Sequence, residues 1–100
     1  MSPFEAIAEP NRRAILDLLR GGEQPAGELV EATGLSQPGL SKHLKVLREA
    51  GLVSMRPDGQ RRLYRLEAGN LAALDAWLTP FRSFWAARLD ALETHLEKEQ

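Results

Sequence analysis

The stretch Thr33-Gly34-Leu35-Ser36-Gln37-Pro38-Gly39-Leu40-Ser41-Lys42-His43-Leu44-Lys45-Val46-Leu47-Arg48-Glu49-Ala50-Gly51 decides the fold. Gly34 fits a left-handed cap that closes one helix. Ser36 is a favourable N-cap for the next, and Pro38 is tolerated in its first turn. Leu35 folds back between them as an inward turn residue. The second helix runs to about Ala50 and ends at Gly51. Its inner stripe is Leu40, Leu44 and Leu47, spaced i, i+4, i+7. Its opposite face is Gln37, Ser41, Lys42, Lys45 and Arg48, all polar or basic. Two short helices joined by a tight turn, the second polar on its outer face, is the arrangement that seats a recognition helix in a DNA major groove.

Working outward, a short helix from about Ala26 to Thr33 contributes Leu29, Val30 and Ala32. Before it, Pro10 opens a helix to about Arg20 with Ala14, Ile15, Leu18 and Leu19 on its apolar face, and Gly21-Gly22 stops it. A first short helix carries Phe4, Ile7 and Ala8, with Ser2 as cap before Pro3; Glu9-Pro10 interrupts it. On the other side, Leu52 to Arg56 and Arg61 to Leu66 flank Pro57-Asp58-Gly59-Gln60. An Asp-Gly turn between two short segments predicts a β-hairpin, with Arg56, Arg61 and Arg62 near its tip.

From Asn70 the helical pattern resumes. Leu71, Leu74, Leu78, Phe81, Trp85, Leu89, Leu92 and Leu96 follow in steps of 3, 4, 3, 4, 4, 3 and 4. This heptad-like seam suits a partner helix better than a small core, and Trp77 and Phe84 widen it. Thr79-Pro80 lies inside it: either the helix kinks there, or Thr79 caps a new one. Residues 97–100 are expected to fray. The fold class is therefore mainly α with a small β-hairpin, in the order α-α-α-α-β-β-α: a winged helix-turn-helix with a long last helix.

The chain has 100 residues and a mass of 11.1 kDa, room for a single domain over 1–100. Hydrophobic residues at 43 % and charged residues at 27 % exclude disorder. A net charge of −1 conceals an asymmetry: residues 36–65 hold seven lysines and arginines against two acids, the rest six against twelve. A basic block inside an acidic body attracts phosphate locally. The absence of cysteine excludes disulfides, thiolate metal sites and thiol redox sensing. The N-terminus shows no basic region followed by an apolar run, and no apolar stretch approaches the roughly 18 residues of a membrane span. A cytoplasmic protein without a membrane partner is expected.

The candidate DNA contacts follow from residue type. Gln37 near the helix start can pair bidentately with adenine, and Lys42 or Lys45 can reach guanine or phosphate. Ser36 and Ser41 can bond to phosphate or base edges. Arg56, Arg61 and Arg62 would act from the hairpin, along the backbone or in the minor groove. Gly39 either lets the backbone approach the duplex or is simply tolerated near a helix start.

Glu9-Pro10-Asn11-Arg12-Arg13-Ala14-Ile15-Leu16-Asp17-Leu18-Leu19, the run Leu35 to Val53, and the wing Asp58-Gly59-Gln60-Arg61-Arg62-Leu63-Tyr64-Arg65-Leu66 resemble the ArsR/SmtB family of bacterial winged-helix repressors. The likeness covers about residues 4–66. It implies a homodimer that binds palindromic operator DNA and represses transcription. It also implies that the terminal helices, about 2–8 and 70–98, form the dimer interface, with Phe4, Leu71, Leu74, Leu78, Phe81, Trp85, Leu89 and Leu92 in it. Many members sense metals, through cysteines on the helix before the recognition helix or through an Asp-x-His pair on the last helix. Here Gln24-Pro25-Ala26-Gly27-Glu28 holds no cysteine, and Trp77 follows Asp75-Ala76 in the histidine's place. The resemblance is therefore to the metal-independent members, and no metal or cofactor is expected.

His43 beside the apolar stripe suits a structural hydrogen bond, and His95 suits a surface pair with Glu99. Trp77, Phe81, Phe84 and Trp85 could line a ligand pocket between protomers, but their spacing already accounts for them as dimer packing. No motif supports an enzyme. A winged-helix interaction module without DNA binding is the alternative, and the basic face of residues 36–65 argues against it.

Overall fold

The computed structural model describes residues 1–98. Among them the order is α1 (Pro3–Ile7), α2 (Pro10–Leu19), β1 (Gln24–Pro25), α3 (Ala26–Thr33), α4 (Gln37–Glu49), β2 (Val53–Asp58), β3 (Arg61–Leu66) and α5 (Ala68–Lys98). Caps explain the short helices. Ser2 Oγ accepts the Glu5 N–H at 3.2 Å, and Glu9 Oε2 accepts the Arg12 N–H at 3.0 Å. Pro3 and Pro10 open α1 and α2, where the missing N–H costs nothing. Arg12 and Arg13 then reach back: Arg12 Nε donates to Ala6 O at 2.6 Å, and Arg13 Nη1 to Ile7 O at 2.8 Å. These two cations close the end of α1 on α2.

The turn between α3 and α4 forms as its sequence implies. Gly34 caps α3 in the left-handed region, at φ +72. Thr33 Oγ1 donates to Leu29 O at 2.7 Å and accepts the Leu35 N–H at 3.3 Å, holding Leu35 half-buried against the core. Ser36 Oγ accepts the Gly39 N–H at 3.1 Å. A Cβ on Gly39 would come within 3.0 Å of that oxygen, so the small residue serves the cap.

The sheet is antiparallel, in the order β1-β3-β2. Asp58 pairs with Arg61, so the strands run further than expected and the turn is Gly59-Gln60 alone. Gly59, at φ +63, supplies the positive φ that the first position of such a two-residue turn requires. A third strand, β1, adds to the hairpin expected from sequence: Gln24 and Pro25 pair with Tyr64 and Leu63. Met55 faces Tyr64 across β2 and β3, and Val53 and Tyr64 join the core. That core centres on Ile15, Leu29, Leu40, Leu44, Leu47 and Leu52, all below 3 % exposure. Full burial of each leucine contributes about 1.5–3 kcal/mol.

α5 is one helix with Pro80 inside it, so Thr79 caps no new helix. Proline removes the donor that would have met the Ala76 carbonyl. The turn is held from the side: Thr79 Oγ1 donates to Asp75 O at 2.9 Å, and Arg82 pairs with Asp75. The helix continues through Lys98 rather than fraying at 97; Glu99, the expected partner of His95, and Gln100 lie outside the described residues. Leu74 is 8 % exposed and sits in the chain's own core, with Leu71 packed against it. Beyond Leu78 the seam is open: Phe81, Trp85, Leu89, Leu92 and Leu96 are all exposed. Among the described residues no helix is long and apolar enough to cross a membrane.

Candidate nucleic-acid interface

Helix α4 buries Leu40, Leu44 and Leu47 against the core, which turns Gln37, Ser41, Lys42, Lys45 and Arg48 to solvent. Strand β3 returns from the wing along α3 and faces α4 across an open space. A cleft of about 870 Å³ opens between them, and Gln37 and Ser41 on one wall face Gln60, Arg61 and Arg62 on the other. Residues about 20 positions apart in sequence thus share one concave surface. Glu28 and Glu31 of α3 also line it, so its charge is mixed on the α3 side.

The cations of residues 36–65 divide into two groups. Lys45 lies 4.0 Å from Glu49, Arg61 donates to Asp58 at 2.8 Å, and Arg65 lies 3.4 Å from Glu67. Among the described residues Lys42, Arg48 and Arg62 make no ion pair, and all three are exposed. The hydrogen bond from Arg61 holds the Asp58 carboxyl below its ordinary range. Ser36, whose oxygen caps α4, remains exposed at the mouth of the turn.

Arg56 departs from its expected place. It is not at the tip but across from Leu63, and its guanidinium is held by Glu23, Nε to Oε2 at 2.9 Å and Nη2 to Oε1 at 2.7 Å. This two-point bond keeps Glu23 ionised below the usual carboxylate range and raises Arg56. Glu23 precedes β1, so the pair spans the three strands and braces the base of the wing. Glu23 sits in a loop 33 residues from its partner, and no local pattern marks it. His43 also differs from expectation: its Nδ1 lies 3.8 Å from Glu9 Oε2, beyond hydrogen-bond length.

At the far side, Phe4 meets Trp77 edge-on with ring centroids 5.6 Å apart, and Trp77 meets Phe81 at 4.9 Å. These rings join α1 to α5 and remain partly exposed. No cluster of three or more His, Cys, Asp or Glu residues able to hold a metal occurs among the described residues.

Comparison with known proteins agrees with this geometry. The model of the family described as "Bacterial regulatory protein, arsR family" matches residues 9–55. The HTH-type transcriptional regulator Rv2034 of Mycobacterium tuberculosis is 40 % identical over 96 residues, covering 96 % of this chain and 87 % of that protein. The transcriptional repressor SdpR of Bacillus subtilis is 40 % identical over 78 residues, covering 78 % and 87 %. Among solved structures, the homodimeric winged helix-turn-helix DNA-binding domain of Mb0332 from Mycobacterium bovis, a possible ArsR-family transcriptional regulator, superposes with a TM-score of 0.65. It is 34 % identical, over 79 % of this chain and 73 % of that one.

Proposed function

Because the chain belongs to the ArsR family and is a winged helix-turn-helix, DNA-binding transcriptional regulator, we propose that it acts in the cytoplasm as a homodimer that represses transcription from a palindromic operator, without metal sensing. The observation that carries this reading is the shared cleft, in which amide and hydroxyl groups of α4 face the arginines of the wing. Gln37, Ser41 and Lys42 read bases, and Arg61 and Arg62 neutralise phosphate. Arg56 is not a contact in this reading; it fixes the wing through Glu23.

The dimer is supported by the apolar face of α5, exposed from Phe81 to Leu96, and by Phe4 and Trp77 beside it. A two-fold pair would set two α4 helices in successive major grooves about 34 Å apart. The metal-free reading is supported by the absence of cysteine and by Trp77 two residues after Asp75, in the histidine's place. Zinc, copper or cadmium should change DNA affinity by less than about tenfold, roughly 1.4 kcal/mol of coupling; a reversible, stoichiometric change above that contradicts it.

The test of the DNA assignment compares two variants on operator and scrambled duplexes at several salt concentrations. Arg61→Ala with Arg62→Ala should weaken both duplexes alike and lower the salt slope by about one unit per lost contact. Gln37→Ala should narrow the gap between them by about 1–3 kcal/mol per half-site, with the slope nearly unchanged. The reverse pattern overturns the assignment.

A further inference from the structure

α4 ends on Gly51, whose φ of +73 lies in the left-handed region that side chains avoid. The Gly51 N–H donates to Arg48 O and the Leu52 N–H to Leu47 O, both at 3.0 Å, the paired bonds that close a helix with glycine just past its cap. The Ala50 carbonyl lies outside that pair. It accepts instead from Asn70 Nδ2 at 2.8 Å, and Asn70 stands in the first turn of α5. Gly51 is needed twice over, because a Cβ there would overlap the Asn70 amide. The last carbonyl of the recognition helix is thus joined directly to the helix that carries the exposed seam.

One other directional bond holds the start of α5, from the Glu67 N–H to Leu52 O at 2.9 Å; the remaining attachments differ in kind. Leu71 and Leu74 pack on the core, and Trp77 meets Phe4. Apolar packing is non-directional and tolerates small sliding. A hydrogen bond at 2.8 Å weakens steeply as its angle opens. Asn70 therefore fixes the rotation of α5 relative to the end of α4 more sharply than the leucines do.

We propose that Asn70 is a positioning residue that sets which half-site spacing the dimer accepts, by tying the orientation of α5 to the C-terminus of α4. This rests on the DNA-bound homodimer proposed above. Once two α5 helices pair, the separation of the two α4 helices is fixed only as well as each α4 is fixed to its own α5. Two rigidly held reading heads gain from simultaneous binding at one spacing and lose that gain at others.

Duplexes selected from a random pool by the wild-type protein supply the site. Affinities of wild type, Asn70→Ala and Asn70→Asp are then measured on that duplex, on versions with a base pair added or removed between half-sites, and on a single half-site. Asn70→Asp keeps the shape, but its carboxylate can only accept. Wild type should prefer its own spacing by at least about tenfold, and both variants should fall below about threefold while keeping half-site affinity. Sedimentation and circular dichroism should find both variants dimeric and folded. Variants that keep the spacing preference, or lose half-site and full-site affinity equally, overturn the role of Asn70 alone. A wild type that selects no sequence overturns the DNA reading itself, and this inference with it.

Discussion

Leu44 of α4 and Leu92 of α5 sit on helical stripes of nearly the same spacing, yet 2 % of Leu44 and 53 % of Leu92 is exposed. The difference is one of surroundings. Residues 3–66 form short helices joined by tight turns, so each apolar stripe meets another and a sheet covers the end of the core. α5 has 31 residues, about 46 Å of helix at 1.5 Å per residue. The body beneath it is too small to cover that length. The chain measures 62 × 26 × 20 Å with a radius of gyration of 18.0 Å, where a compact domain of this size has about 13 Å. Periodicity states that a face is to be buried; it does not state whose atoms bury it.

Breaking the buried stripe should have the largest effect. Leu47→Ala removes a side chain with 0 % exposure, and comparable core truncations cost about 2–5 kcal/mol. Against a typical total of about 5–15 kcal/mol, this should lower the thermal midpoint by many degrees. Denaturant unfolding followed by circular dichroism measures it, and a change below about 1 kcal/mol would mean that the stripe is not what holds residues 3–66 together.

Breaking the exposed stripe should leave that body folded. Trp85→Glu sets a charge where a partner's apolar face is expected, and should weaken self-association by at least about a hundredfold, near 2.7 kcal/mol. Analytical ultracentrifugation with a thermal melt separates the outcomes. Loss of fold together with association would mean that the two regions are not independent.

The smallest effect is expected where the wing meets the body. Glu23→Gln removes the charge that holds Arg56, and Asp58 pairs similarly with Arg61. Both carboxyls are held below their ordinary values, so their contribution is present above the unfolded values, near about 4, and is lost as pH falls through the lower folded ones. Both pairs are solvent-exposed, so their effect is modest. Glu23→Gln should lower the neutral plateau slightly and flatten the acid limb by the same small amount, leaving stability below the folded values unchanged. Urea melts across that range check this; an unaltered acid limb shows that the Glu23 bond does not stabilise the fold.

Much of the architecture was legible because its signals are local. Ser2, Gly34, Ser36 and Gly51 act on bonds within a few residues, and helix bounds at Ala26, Thr33 and Gln37 followed from them. The leucine stripe of α4 declared its buried face by spacing alone. Long-range partners left no such trace. β1 is two residues long, too short for alternation, and exists because β3 offers it a free edge. Arg56 belongs to a positively charged run, and nothing nearby shows that Glu23 occupies it. Arg12 and Arg13 serve the carbonyls of α1, and no local pattern marks them for it. Pro80 left a kink and a new start equally open, and the Asp75, Thr79 and Arg82 contacts accompany a continuous helix. Leu74 shares the seam's spacing but falls where the body still reaches α5.

The central claim is that the exposed half of α5 is one side of an interface between two copies of this chain. Sedimentation equilibrium of the wild type at micromolar concentration tests it without any DNA. The account predicts a single species of twice the 11.1 kDa chain mass. A species at the mass of one chain, with Phe81, Trp85, Leu89 and Leu92 left in water, would contradict it.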